Sequence, residues 1–182
     1  MDFSPLMKNL TDTVREGQLK LGYSPNPVSL NYPLGSLNAL LGTRADAAGM
    51  EELLRAFAGE AEGTLGRIGV RREEDRFTLT VPPEGTAYVL ETVPASPFLT
   101  DLIALITGPG RVTAEEILRV FRRYSPGAVC KPVEGEEFNY LFYFPDGSPD
   151  DYRYCVEVDD DFGRASYHRL TPADYEQLGF GY

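Results

Sequence analysis

One cysteine and the sole histidine of this 182-residue chain lie close together near its C-terminal end, Cys155 in RYCVEV and His168 in SYHRL. A thiol beside an imidazole can become a thiolate nucleophile, the arrangement of a thiol-dependent hydrolase. Arg153 and Glu157 stand two residues either side of Cys155, on the same face if the segment is a strand. The candidate catalytic group is therefore Cys155 and His168, with Arg153 and Glu157 flanking. Two features oppose the enzymatic reading. No helix N-terminus or glycine turn adjoins Cys155 to hold an oxyanion. Catalytic groups also sit more often on loops than in mid-strand. A half-buried structural pair is the competing reading.

Whether the pair meets depends on the strands that carry it. The run EEFNYLFYFPDGSPDDYRYCVEVDDDFGRASYHRL alternates aromatics with polar residues and is broken by turn residues. It predicts a four-stranded antiparallel meander, with strands near 128–133, 137–144, 152–159 and 164–170. Pro132 places the first strand at an edge. If each loop is symmetric, Val133 faces Phe138, Phe144 faces Tyr152, and Val158 faces Ala165. One face then carries Phe138, Tyr140, Phe142, Phe144, Tyr152, Tyr154, Val156, Val158 and Tyr167, a core face for helices to cover. The other carries Asn139, Leu141, Tyr143, Arg153, Cys155, Glu157, Ser166, His168 and Leu170. On it Cys155 sits opposite His168, with Cβ atoms within roughly 5 Å. A one-residue slip would flip every face.

Other constellations carry less chemistry. Asp159-Asp160-Asp161-Phe162-Gly163 lacks the alternating oxygen ligands and distant glutamate of a calcium loop, and reads as a hairpin turn. Two cysteines and one histidine at wide spacing make no usual zinc site. No metal and no cofactor are expected, since glycine-rich phosphate loops, G-x-S-x-G and H-E-x-x-H are all missing from the sequence. Arg119, Arg122 and Arg123 end a predicted helix that precedes a hairpin, which resembles a winged helix with arginines toward DNA. Cations near a helix C-terminus are equally explained by the helix dipole.

Upstream, the pattern is helical. Ser4 and Pro5 open a helix over 3–21 with Phe3, Leu6, Leu10 and Val14 in one stripe. A short strand at Val28, Leu30 and Tyr32 precedes a short helix closed by Gly42. Asp46 opens a helix that turns Met50, Leu53, Leu54, Phe57 and Ala61 inward. A β-hairpin follows at about 65–82, with RREED between its arms. Pro83 starts a short helix. Ser96-Pro97 starts another through Thr107 that is apolar nearly all round and so belongs in a core. Thr113 and Glu116 form a capping-box signature for the next helix. Thr171-Pro172 starts a final short helix that Gly179 ends. The fold class is α+β. A helical part with a hairpin covers 1–110, and a helix plus meander covers 111–182, packed as one compact unit. Gly108-Pro109-Gly110 is the candidate boundary.

Charge narrows the partners. The net charge is −11. From Cys130 onward there are 12 acidic and 4 basic residues, and the remaining 16 acidic and 13 basic lie before it. That balance makes nucleic acid an improbable partner, because phosphate binding needs clustered Lys and Arg. A basic protein surface suits it instead. The sequence has no apolar run of membrane-spanning length and no signal-peptide pattern at MDFSPLMKNL, so no membrane is expected. Two cysteines make no disulfide framework, which indicates a cytoplasmic setting with reduced thiols.

The phrases QLKLGY at 18–23, YPLGSLNALLG at 32–42, and the run from EEFNYLFYF through DDYRYC to YHRLTPADYEQLGF are similar to an uncharacterised bacterial family, a domain of unknown function of the DUF3877 type. The resemblance covers nearly the whole chain. It implies no activity, cofactor or catalytic residue, and it supports reading the chain as one complete intracellular protein. The leading functional expectation is a non-enzymatic cytoplasmic domain that binds a basic partner, with an immunity-type inhibitor of a basic toxin fitting the same physics. A small thiol enzyme and a winged-helix-like nucleic-acid binder are the alternatives.

Overall fold

The computed structural model describes residues 1–178, and the chain divides into two units, Met1–Ala95 and Ser96–Tyr182. The expected end of the last helix at Gly179 lies outside the described residues. The fold is mixed α+β, with a three-stranded and a four-stranded antiparallel sheet.

In the first unit, α1 (Ser4–Leu21) buries Leu6, Leu10 and Val14 as its apolar stripe requires. Ser4 is not its cap. The helix starts one residue earlier than a serine cap would allow, Phe3 holds the N-cap position, and Asp2 Oδ1 accepts the Ser4 amide at 2.9 Å. Next come β1 (Val28–Pro33), α2 (Leu34–Leu41) and α3 (Ala47–Leu65), the last capped by Asp46 Oδ1 accepting from the Gly49 amide at 2.8 Å. The hairpin is β2 (Gly69–Glu73) and β3 (Arg76–Val81). Its loop is shorter than the expected RREED. Arg71, Arg72 and Glu73 all pair with β3, leaving Glu74 and Asp75 as the turn, with Glu74 at φ 55°. The expected isolated strand at Val28 joins this hairpin through β3, giving the order β1-β3-β2. Phe77, Leu79 and Val81 alternate inward against Leu54, Phe57 and Leu65. After it comes α4 (Pro83–Thr92). Gly85 has no side chain because a Cβ there would collide with the Leu65 carbonyl and Val81.

The second unit begins with α5 (Pro97–Thr107) and α6 (Ala114–Tyr124), followed by β4 (Val129–Pro132), β5 (Tyr140–Tyr143), β6 (Arg153–Asp159), β7 (Arg164–Leu170) and α7 (Pro172–Gln177). The division falls ahead of α5, not after the Gly108-Pro109-Gly110 break. The reason is packing: Phe98 of α5 meets Phe121 of α6 at 4.7 Å and Phe144 at 5.0 Å between ring centroids. The capping box of α6 is formed, with the Glu116 amide donating to Thr113 Oγ1 and the Thr113 amide donating to Glu116 Oε2. Such a box contributes about 1 kcal/mol.

The sheet order is β4-β5-β6-β7, with β4 and its Pro132 at an edge. Two of the three expected registers are present: Phe142 lies opposite Tyr154, and Val158 opposite Ala165. The third is shifted by one residue. Cys130 faces Phe142, where a symmetric loop would set it against Leu141. On the β6 side, Asn139 interrupts the ladder. Its amide donates to the Val156 carbonyl at 3.0 Å, while its side chain accepts from the Val158 amide and donates to the Val158 carbonyl, each at 2.9 Å. A side-chain amide thus replaces a backbone peptide in the ladder, and alternation stops there. Phe138 therefore does not join the expected core face. It turns to the reverse side of the sheet.

Candidate functional site

The meander has two sides, and both are apolar at their centres. On the front, Phe98, Phe121, Phe142, Phe144 and Tyr154 are fully buried, with centroid separations of 4.7–5.4 Å and mostly edge-to-face geometry. Such ring pairs each contribute about 0.5–1.5 kcal/mol beyond the area they bury. This is the core face that the aromatic alternation predicts.

The reverse side holds the candidate residues. The ladder sets Cys155 opposite His168, Arg153 opposite Leu170, and Glu157 opposite Ser166. The four side chains therefore share a face, but their surroundings differ. Cys155 is 1% exposed and packs with Phe138, Leu141 and Tyr175, flanked by Val133, Tyr143 and Leu170. His168 and Glu157 are exposed, and Arg153 is half-buried. The Arg153 guanidinium lies 4.8 Å from the centre of the Tyr143 ring, and its Nη1 donates to the Asp151 carbonyl at 3.0 Å. Burial alone pushes the Cys155 thiol up to about 11. At neutral pH that leaves roughly one thiolate in ten thousand, so the surroundings oppose an activated nucleophile. The closeness of Cys155 and His168 in the ladder is real, and the apolar cluster decides its chemistry.

Burial also raises the Cys130 thiol, with the Arg122 charge opposing it. The arginines at the end of α6 are largely committed. Arg119 Nη2 bonds Glu115 Oε1 at 2.8 Å, and Arg123 Nη1 lies 3.3 Å from Asp101 Oδ2. Asp101 also accepts the Tyr124 hydroxyl at 2.7 Å, which raises the phenol above its usual range. Two of the three charges that would face DNA are thus paired with carboxylates.

Acidic residues gather at one end of the sheet. In an antiparallel meander the β4–β5 and β6–β7 loops share an end. The first brings Glu134, Glu136 and Glu137, the second Asp159, Asp160 and Asp161, all exposed. The second loop is tightly held. Asp159 Oδ1 accepts the amides of Asp161 and Phe162 at 3.1 and 3.2 Å. Gly163 takes φ +64° beneath the Arg111 side chain, and its carbonyl accepts the Val112 amide at 2.9 Å. The loop presents Phe162 with 73% of its surface in solvent. Among the described residues, no group of three or more His, Cys, Asp or Glu side chains is arranged to hold a metal.

A family model for a domain of unknown function with an E. rectale gene description, DUF3877, matches residues 3–179. The chain belongs to this family. No curated protein and no solved structure matches it. The DUF3877 family carries no assigned activity, so the residues of this chain must make the functional argument. No described helix is long and apolar enough to cross a membrane.

Sequence reasoning set Phe138 on the core face and Asn139 among the reverse-face residues, and it did not weigh Tyr175. Tyr175 had a visible signal. Thr171, Pro172 and Asp174 mark a capped helix start, which sets the aromatic four residues after its cap, where a one-turn helix points back to the chain it covers.

Proposed function

We propose that this DUF3877 member is a non-enzymatic, cytoplasmic protein-binding domain that uses the acidic end of its meander to engage a basic protein surface. The observation that carries the reading is the β6–β7 loop, where an exposed Phe162 stands among Asp159, Asp160 and Asp161, beside the glutamates of the β4–β5 loop. An exposed aromatic can serve as an anchor that a partner buries, and such anchors dominate binding energies. Carboxylates around it speed encounter with a cationic partner and make binding sensitive to salt. Two free thiols support a reducing compartment.

The test is capture from host lysate at low salt, comparing the wild type with a Phe162→Ala, Asp160→Asn, Asp161→Asn variant. The expected result is a basic protein retained by the wild type, lost from the variant, and released at roughly 0.5 M salt as screening shortens. Recovery of the same proteins by both baits would sink the reading.

A further inference from the structure

We propose that α7 is a cover that opens locally, without unfolding of the sheet, and that its opening brings Cys155 and the apolar residues around it into solvent beside His168. The reverse cluster of Phe138, Leu141, Cys155 and Tyr175 is sealed by α7, whose Tyr175 is 1% exposed while Glu176, Gln177 and Leu178 are exposed. The helix has six residues, far below the length at which a helix holds itself together in water. Its place therefore depends on what it packs against, and here the packing is imperfect. Asp174 Oδ1 in the first turn of α7 is buried with no hydrogen-bond partner, and so is Arg153 Nε on the strand beneath. These are side chains of opposite charge, on β6 and on the helix that follows Leu170, the residue opposite Arg153. Buried polar atoms left unmade cost free energy that opening to water returns. The front aromatic core beneath α5 and α6 lies on the other side of the same strands and is not disturbed by that opening. Local openings of this kind lie well below the free energy of global unfolding.

The test reads Cys155 in a Cys130→Ser background with a soluble aromatic disulfide. The thiolate attacks one sulfur of the reagent, a mixed disulfide forms, and the aromatic thiolate leaves with its colour. The expected labelling rate in native buffer is nearly independent of urea up to the onset of global unfolding, because a small opening exposes little surface. Tyr175→Ala is expected to raise that rate about tenfold or more while the urea midpoint of the sheet stays nearly unchanged. A rate that climbs with urea along the full global slope overturns the proposal. So does a Tyr175→Ala protein whose labelling rises only in step with its loss of global stability. Should that variant fail to fold, the urea dependence of the Cys130→Ser protein decides alone.

Discussion

The two faces of the C-terminal meander are made by the same strands yet held by different means. The front is closed by two full helices and interlocked rings, with Phe121 touching Phe98, Phe142, Phe144 and Tyr154. The reverse is closed by one short helix over a few side chains, with two charged groups left partly unmatched. Alternation along a strand supplies apolar residues to both faces. What differs is the quantity of structure available to cover each. The front therefore has more packing to hold it than the reverse.

Mutations can break or sharpen that contrast. Phe121→Ala should have the largest effect, about 3–5 kcal/mol by chemical denaturation, since it empties the centre of the front cluster. Tyr175→Ala should leave the global denaturation midpoint nearly unchanged and act on the local opening instead, as labelling of Cys155 about tenfold or more faster. Equal losses at the two positions would erase the distinction between the faces. Asn139→Ala should cost about 1–2 kcal/mol, because the Val158 amide and carbonyl both lose their partner. It should also loosen Phe138, seen as faster amide exchange at the start of β5.

The smallest effect concerns Asp150, at the other end of the sheet. Burial raises its carboxyl, against hydrogen bonds from Tyr154 and Tyr152 and the Arg169 charge. A carboxyl whose folded value lies above its unfolded value carries a penalty when ionised, and acidification removes it. Lowering the pH from 7 to 4 should therefore shift stability toward the wild type relative to Asp150→Asn, by less than about 1 kcal/mol. A shift in the opposite sense would mean that the hydrogen bonds from Tyr152 and Tyr154 outweigh burial.

Much of this arrangement was legible in the residues. Alternating aromatics, separated by turns rich in Asp, Gly and Pro, specify antiparallel strands and their faces. Two nearly symmetric loops were enough to place Cys155 opposite His168. The placement of Phe138 was not legible, because Asn139 looks like any polar strand residue until its side chain is seen standing in for a peptide group. The position of α5 was ambiguous for a related reason. A glycine-proline break marks the end of a helix and says nothing about which core that helix serves.

By itself the sequence determined the α+β class, the two hairpin registers at β5–β6 and β6–β7, and the acidic balance of the C-terminal part. Each follows from local rules: period-two alternation, turn chemistry and a count of charges. Only the tertiary structure decided that Phe138 crosses to the reverse face, that α7 seals Cys155 in an apolar cluster, and that Asp and Glu from separate loops share one end of the sheet with Phe162. Those outcomes depend on contacts between distant segments. Burial by such contacts, more than nearness to His168, sets the protonation of the Cys155 thiol.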